Sequence, residues 1–217
     1  MPTLSLPAVR YMKVLTLAMY VAGAIGLSIE SSRPLFQLLT PFNLLFTALL
    51  LLVYQAERTP AFWGWVLLAA GLGYLAEVIG VATGFPFGSY VYGSTLGVKV
   101  WEVPLTIALN WLVLAYGAGY VVYRYIKVPW WGQAFLAAVL MVALDVAIEP
   151  VAIAYDFWSW ELGQPPLQNY LGWFGVALVI QGGYFRFSFP KANPIALHLW
   201  ALQAIFFLLC LLLFKII

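Results

Sequence analysis

Asp145 and Glu149 stand four residues apart in "LDVAIEPVAIAYDFWSW" (144–160), a stretch otherwise fit for membrane hydrocarbon. That spacing puts both carboxyls on one helix face, one turn apart. Two like charges so close in a low dielectric cannot comfortably both ionise, so at least one is expected to keep its proton. A neutral carboxylic acid in a dry pocket is a strong general acid. The plainer alternative is that each acid hydrogen-bonds a neighbouring helix and fixes packing. An ionised carboxylate at bilayer depth costs at least ~2.5–3.5 kcal/mol, and such groups usually mark a site.

These acids need a membrane scaffold. The 217 residues are 65% hydrophobic and 8% charged, with mean hydropathy +0.96, whereas a soluble domain carries roughly 25% charge. The expected fold is all-α: one integral membrane domain over 1–217, a polytopic helix bundle of about seven transmembrane spans. Apolar runs predict these near 11–29, 36–54, 62–82, 101–123, 131–153, 170–186 and 194–214, with prolines at or near their ends. The first run could imitate a signal peptide, with Ala22-Gly23-Ala24 as its cleavage site; it is read as a retained helix.

Seven spans divide the ten Lys and Arg residues seven to three. Arg10, Lys13, Arg58, Arg124, Lys127, Arg186 and Lys191 share the N-terminal face; Arg33, Lys99 and Lys215 lie on the other. The positive-inside rule then places the N-terminus in the cytoplasm and the C-terminus outside, in the plasma membrane of a prokaryote. Glu77, Glu102, Asp145, Glu149, Asp156 and Glu161 all fall in the outer half of the bundle or just above it. Glu102 is expected to open the fourth span.

Two outer loops, "TGFPFGSYVYG" (83–93) and "YDFWSWELGQPPLQNYLGW" (155–173), carry Phe85, Phe87, Tyr90, Tyr92, Phe157, Trp158, Trp160, Tyr170 and Trp173. One reading is a headgroup belt. The other is an aromatic-lined chamber above the acids, whose ring faces stabilise a cation by ~0.5–2 kcal/mol each. Gly84, Pro86 and Gly88 are expected to fix a re-entrant turn, tolerated at depth if it is buried or lines a cavity.

Several chemistries are excluded. A single histidine, His198, rules out a multi-histidine di-iron oxygenase and is expected to serve as a satisfied interhelical polar residue. A single cysteine, Cys210, rules out an intrachain disulfide or a cysteine-rich metal site; it is read as a small apolar residue, lipid-facing or packed. No mid-membrane lysine is available for a retinal Schiff base, and no glycine-rich nucleotide loop is present. The net charge of +2 gives no reason to expect nucleic acid. "DVAIE" is faintly like the DxxxD of membrane prenyltransferases, but the second acidic motif and the basic phosphate partners are missing.

Two blocks carry a family resemblance. "EVIG" (77–80), "TGFPFGSYVYGSTLGVKVWEVP" (83–104) and "NW" (110–111) are followed by "LDVAIEPVAIAYDFWSWELG" (144–163) and "PLQNYLGWF" (166–174). In order and spacing they resemble the CruF-type carotenoid hydratase family, which includes bisanhydrobacterioruberin hydratase and γ-carotene 1'-hydroxylase. The resemblance covers about residues 70–180. Glu149-Pro150 stands where the family usually has Asp-Pro, so a carboxylate is kept. The resemblance implies addition of water across the terminal C1=C2 double bond of a linear ψ-end carotenoid, giving a tertiary alcohol without cofactor or metal. The expected partners are a long apolar carotenoid and membrane lipid.

That chemistry agrees with the residues. Asp145 or Glu149 is expected to protonate the alkene, while the other, or Glu77, orients water. Phe85, Phe87, Tyr90, Tyr92, Glu102, Asn169 and Trp173 are candidates to line the substrate site, with Trp158 and Trp160 near its mouth. The rivals are a lycopene-type cyclase that begins with the same protonation, a proton-coupled transporter, and a non-catalytic carotenoid-binding protein.

Overall fold

Proline, glycine and hydroxyl side chains set where the helices begin and end. In the computed structural model, which describes residues 6–213, seven helices run α1 (Leu6–Ser28), α2 (Arg33–Val53), α3 (Pro60–Thr83), α4 (Thr106–Tyr125), α5 (Trp130–Ala154), α6 (Leu167–Arg186) and α7 (Ala196–Leu213). Helix α3 shows the logic. Thr59 caps it by accepting from the Phe62 N–H at 3.2 Å, and Pro60 occupies the first turn, where no donor is needed. Gly84 ends it in the left-handed conformation at φ 74°, which a side chain would resist.

Five helices, α1 to α5, are long and apolar enough to cross a membrane. The all-α bundle expected from the sequence is what forms. Helix α4 is its hub, packing against α2, α3, α5, α6 and α7, while α1 lies against α2 and α7. Small residues permit the close approach: Gly73 of α3 and Gly117 of α4 sit under the rings of Trp111 and Trp200, where a Cβ would collide. On α1 and α2 many large apolar side chains, among them Leu17, Val21, Leu38, Phe42 and Leu49, face outward, as helices bordering lipid must.

Polar contacts identify the two ends of the bundle. At one, Asn193 donates to Leu51 O at 2.8 Å, and His198 Nε2 lies 3.0 Å from Lys13 O and 3.1 Å from Thr16 Oγ1, the interhelical role expected of it. At the other, Gln37 donates to Tyr155 O at 2.9 Å and Gln168 to Gly84 O at 3.0 Å. Cys210 is fully buried. Lys215, counted above on the outer face, lies outside the described residues.

The second end carries structure that hydropathy did not disclose. Strand β1 (Tyr90–Tyr92) precedes the short pair β2 (Lys99–Val100) and β3 (Val103–Pro104), and β4 (Trp158–Trp160) follows α5. Strands β1 and β4 pair antiparallel, Tyr90 opposite Trp160 and Tyr92 opposite Trp158. Alternation along a strand turns Tyr90, Tyr92, Trp158 and Trp160 inward and leaves Val91 and Ser159 exposed. The fourth helix starts at Thr106, later than the expected 101. Trp101 and Glu102 instead form the tight turn between β2 and β3, at φ 51° and 62°. Glu102 therefore does not open the helix; it is exposed.

Candidate active site

Four helices and the β1–β4 ribbon build the cluster: α3 and α5 carry the acids, and α4 and α6 supply partners. Glu77 projects from the last turns of α3, and Asp145 and Glu149 from the last turns of α5; they are 4%, 0% and 2% exposed. Close packing seats the ribbon. A Cβ on Gly80 would meet Phe87 at 2.7 Å, so glycine lets the loop settle onto α3.

Each glutamate is gripped by three donors. Glu77 Oε2 accepts from the hydroxyls of Tyr90 and Tyr92, the latter at 2.7 Å, and Oε1 accepts from Trp111 Nε1 at 3.0 Å. Glu149 Oε2 accepts from Trp158 Nε1 at 2.9 Å and Trp160 Nε1 at 2.8 Å, and Oε1 from Asn169 Nδ2 at 3.0 Å. A carboxylate oxygen offers two lone pairs. In both residues Oε2 is saturated by two aromatic donors and Oε1 keeps one free position. Burial, reinforced by nearby Glu77, pushes the phenols of Tyr90 and Tyr92 well above their ordinary value, so both stay protonated and donate.

Asp145 differs from the glutamates. Its Oδ2 accepts from Asn169 Nδ2 at 3.0 Å, while Oδ1, fully buried, has no partner among the described residues. Asn169 thus bridges the two carboxyls of α5. Of the three acids, Asp145 has the fewest donors, one against three for each glutamate.

One cavity lies within this cluster and a second lies beside it. A pocket of about 20 Å³, room for a single water, lies between Glu77 and Glu149 and is walled by Phe87, Tyr90, Tyr92, Trp111, Trp158, Trp160 and Trp173, with Asn110 and Asn169. Trp111 and Trp173 stack there with ring centroids 4.1 Å apart. A chamber of about 520 Å³ adjoins it between α1, α2, α4 and α7, lined mainly by carbon. Ile107, Asn110 and Trp158 belong to both. Ala22, Leu39 and Phe42 line the chamber and are themselves exposed, so it opens on the surface between α1 and α2.

Most residues singled out from the sequence converge here: Glu77, Asp145, Glu149, Phe87, Tyr90, Tyr92, Trp158, Trp160, Asn169 and Trp173. Asp145 stands behind Asn169 rather than on the small pocket's wall. Trp158 and Trp160 both donate to Glu149, and Trp158 also lies where the pocket adjoins the chamber. Phe85, 70% exposed, and Glu102 line neither cavity. Sequence reasoning missed Asn110, Trp111 and Gln203. The pair "NW" (110–111) was visible only as part of the family pattern, and nothing local marks Gln203 within the apolar run of α7.

The fold and site define a membrane-embedded helix bundle in which a carboxyl cluster, ringed by aromatic side chains, adjoins an apolar chamber reached from its side. Residues 39–217 match the family described as "Carotenoid biosynthesis protein", and the chain belongs to that family. A stretch of 136 residues is 32% identical to bisanhydrobacterioruberin hydratase of Haloarcula japonica, covering 55% of this chain and 43% of that protein. The match therefore spans less than half the length of that relative. The likeness to CruF-type hydratases read from the sequence is borne out. No solved structure matches the chain.

Proposed function

We propose that the protein is a cofactor-independent carotenoid hydratase, adding water across the terminal C1=C2 double bond of a linear ψ-end carotenoid to form a tertiary alcohol. One observation carries this reading: a water-sized pocket between two glutamates adjoins an apolar chamber open at the side of the bundle. A hydratase needs both compartments at once, oil for the alkene and a single held water for the oxygen.

In this account the carboxyls of Asp145 and Glu149 hold one proton between them, because charging both, one turn apart and bridged by a single amide, is unfavourable. Glu149 faces the pocket and delivers that proton from the free position on Oε1 to C2 of the alkene. The electron pair of the double bond forms the new C–H bond, leaving a tertiary cation at C1. The faces of Trp111, Trp173 and Trp158 stabilise it by ~0.5–2 kcal/mol each. The pocket water attacks C1, and Glu77 accepts its proton at its own free Oε1 position. Return of that proton to Glu149 closes the cycle, so no other reactant is consumed. Phe87, Tyr90, Tyr92, Trp160 and Asn169 hold the acids and close the pocket.

The basic side chains at the far end from the acids, including Arg58, Arg124, Lys127, Arg186 and Lys191, support an N-terminus in the cytoplasm of a prokaryote and a site toward the outer half of its plasma membrane. A cyclase begins with the same protonation and remains the nearest rival; the polar pocket with room for water favours hydration over ring closure. Expression in a lycopene-making host tests the assignment. Hydration yields a more polar pigment heavier by one water per reacted end, whereas cyclisation leaves the mass unchanged and refutes it.

A further inference from the structure

The chamber is lined mainly by carbon, yet it contains a carboxamide with spare capacity. Gln203, on α7, is 3% exposed, lines the chamber, and has an Oε1 with no partner among the described residues. Its Nε2 reaches Asn110 Oδ1 at only 3.5 Å. A buried carbonyl without a donor is costly, and chains tend to leave one so only where something else supplies the donor. Asn110 is also the polar residue that the chamber shares with the water-sized pocket. The other shared residues are Ile107, which has no polar side chain, and Trp158, whose indole N–H is committed to Glu149.

We infer that Asn110 and Gln203 form a subsite for a hydroxyl group carried by the ligand: an alcohol close to one end of a long apolar chain. This rests on the hydratase reading, in which such an alcohol is the product. A hydroxyl donates once and accepts twice. Gln203 Oε1 takes its proton, and the Asn110 amide N–H₂ donates to its oxygen. A tertiary alcohol formed at the pocket meets this pair as it withdraws into the chamber, which draws its oxygen away from the acids that could expel it again as water.

The test measures affinity without turnover. Full-length protein in lipid nanodiscs is titrated with a linear carotenoid bearing a terminal tertiary alcohol and with its parent hydrocarbon, read by quenching of tryptophan fluorescence. The wild type is expected to bind the alcohol about tenfold more tightly, the worth of one well-made hydrogen bond. Gln203→Leu is expected to bring the two affinities within about twofold, with Gln203→Met in its place if the leucine variant does not accumulate. Equal affinities in the wild type, or a preference that survives the substitution, overturn the inference. Hydration is assayed on the same preparation. Turnover without preference removes the subsite and keeps the hydratase; preference without turnover does the reverse.

Discussion

Asn169 Nδ2 donates to Asp145 Oδ2 and to Glu149 Oε1, at 3.0 Å each. One amide from α6 therefore couples the two acids that α5 places a turn apart. Glu149 has two further donors and Asp145 none, so the pair is unequal although its members are chemically alike. If they share a proton, its availability depends on both.

Glu149→Gln is expected to lower hydration by at least about 10²-fold, the usual contribution of a positioned general acid. Asp145→Asn is expected to do the same by another route: without its charged neighbour, Glu149 is free to ionise within its three donors. Pigment analysis alongside immunoblotting checks this, since both variants should accumulate at wild-type levels. Full activity in both would remove the acid assignment.

Glu77→Gln separates the two half-reactions. Protonation by Glu149 survives, but the water has no base, so the cation reverts by losing a proton. In deuterated water this variant should return unhydrated carotenoid carrying deuterium near the terminal double bond, whereas Glu149→Gln should return it unlabelled. Mass spectrometry of recovered substrate reads the difference, and normal hydration by Glu77→Gln would exclude it as the base.

Much of the acid cluster was legible in the sequence, and the reason is local. Asp145 and Glu149 are related by helical periodicity, and Tyr90, Tyr92, Trp158 and Trp160 fall at alternate positions of two aromatic loops. What periodicity could not disclose is pairing at long range. Trp111 reaches Glu77 across 34 residues and two helices, and the β1–β4 register that turns four rings inward joins segments on opposite sides of α4 and α5. Glu102 misled because an acid beside an apolar run looks like a helix start, whereas its left-handed backbone makes it a turn residue.

Trp160→Phe keeps a ring and deletes one donor to Glu149. The freed lone pair on Oε2 makes that carboxyl less able to release its proton to the alkene, and activity is expected to fall by roughly tenfold, the effect of one hydrogen bond. Trp160→Leu, which also removes the aromatic face, should fall further. Equal activity in the two variants would show that the ring contributes nothing.

Gly23→Leu tests the chamber while leaving the acids untouched. A Cβ at Gly23 meets only Phe206, at an ordinary 3.7 Å, so the helix accepts it and the rest of the side chain enters the chamber. Thermal stability should hold or rise, since leucine is the better helix former, while turnover falls at least about tenfold as carotenoid is excluded. Unchanged turnover would mean that substrate reaches the acids by another path.

The central claim is that a single water, held between Glu77 and Glu149, supplies the oxygen of the product. Purified protein in nanodiscs, given lycopene in heavy-oxygen water with no other reagent, should yield a pigment heavier by one labelled water per reacted end, its oxygen fully labelled. A pigment of unchanged mass, or one whose oxygen is unlabelled, would contradict the account.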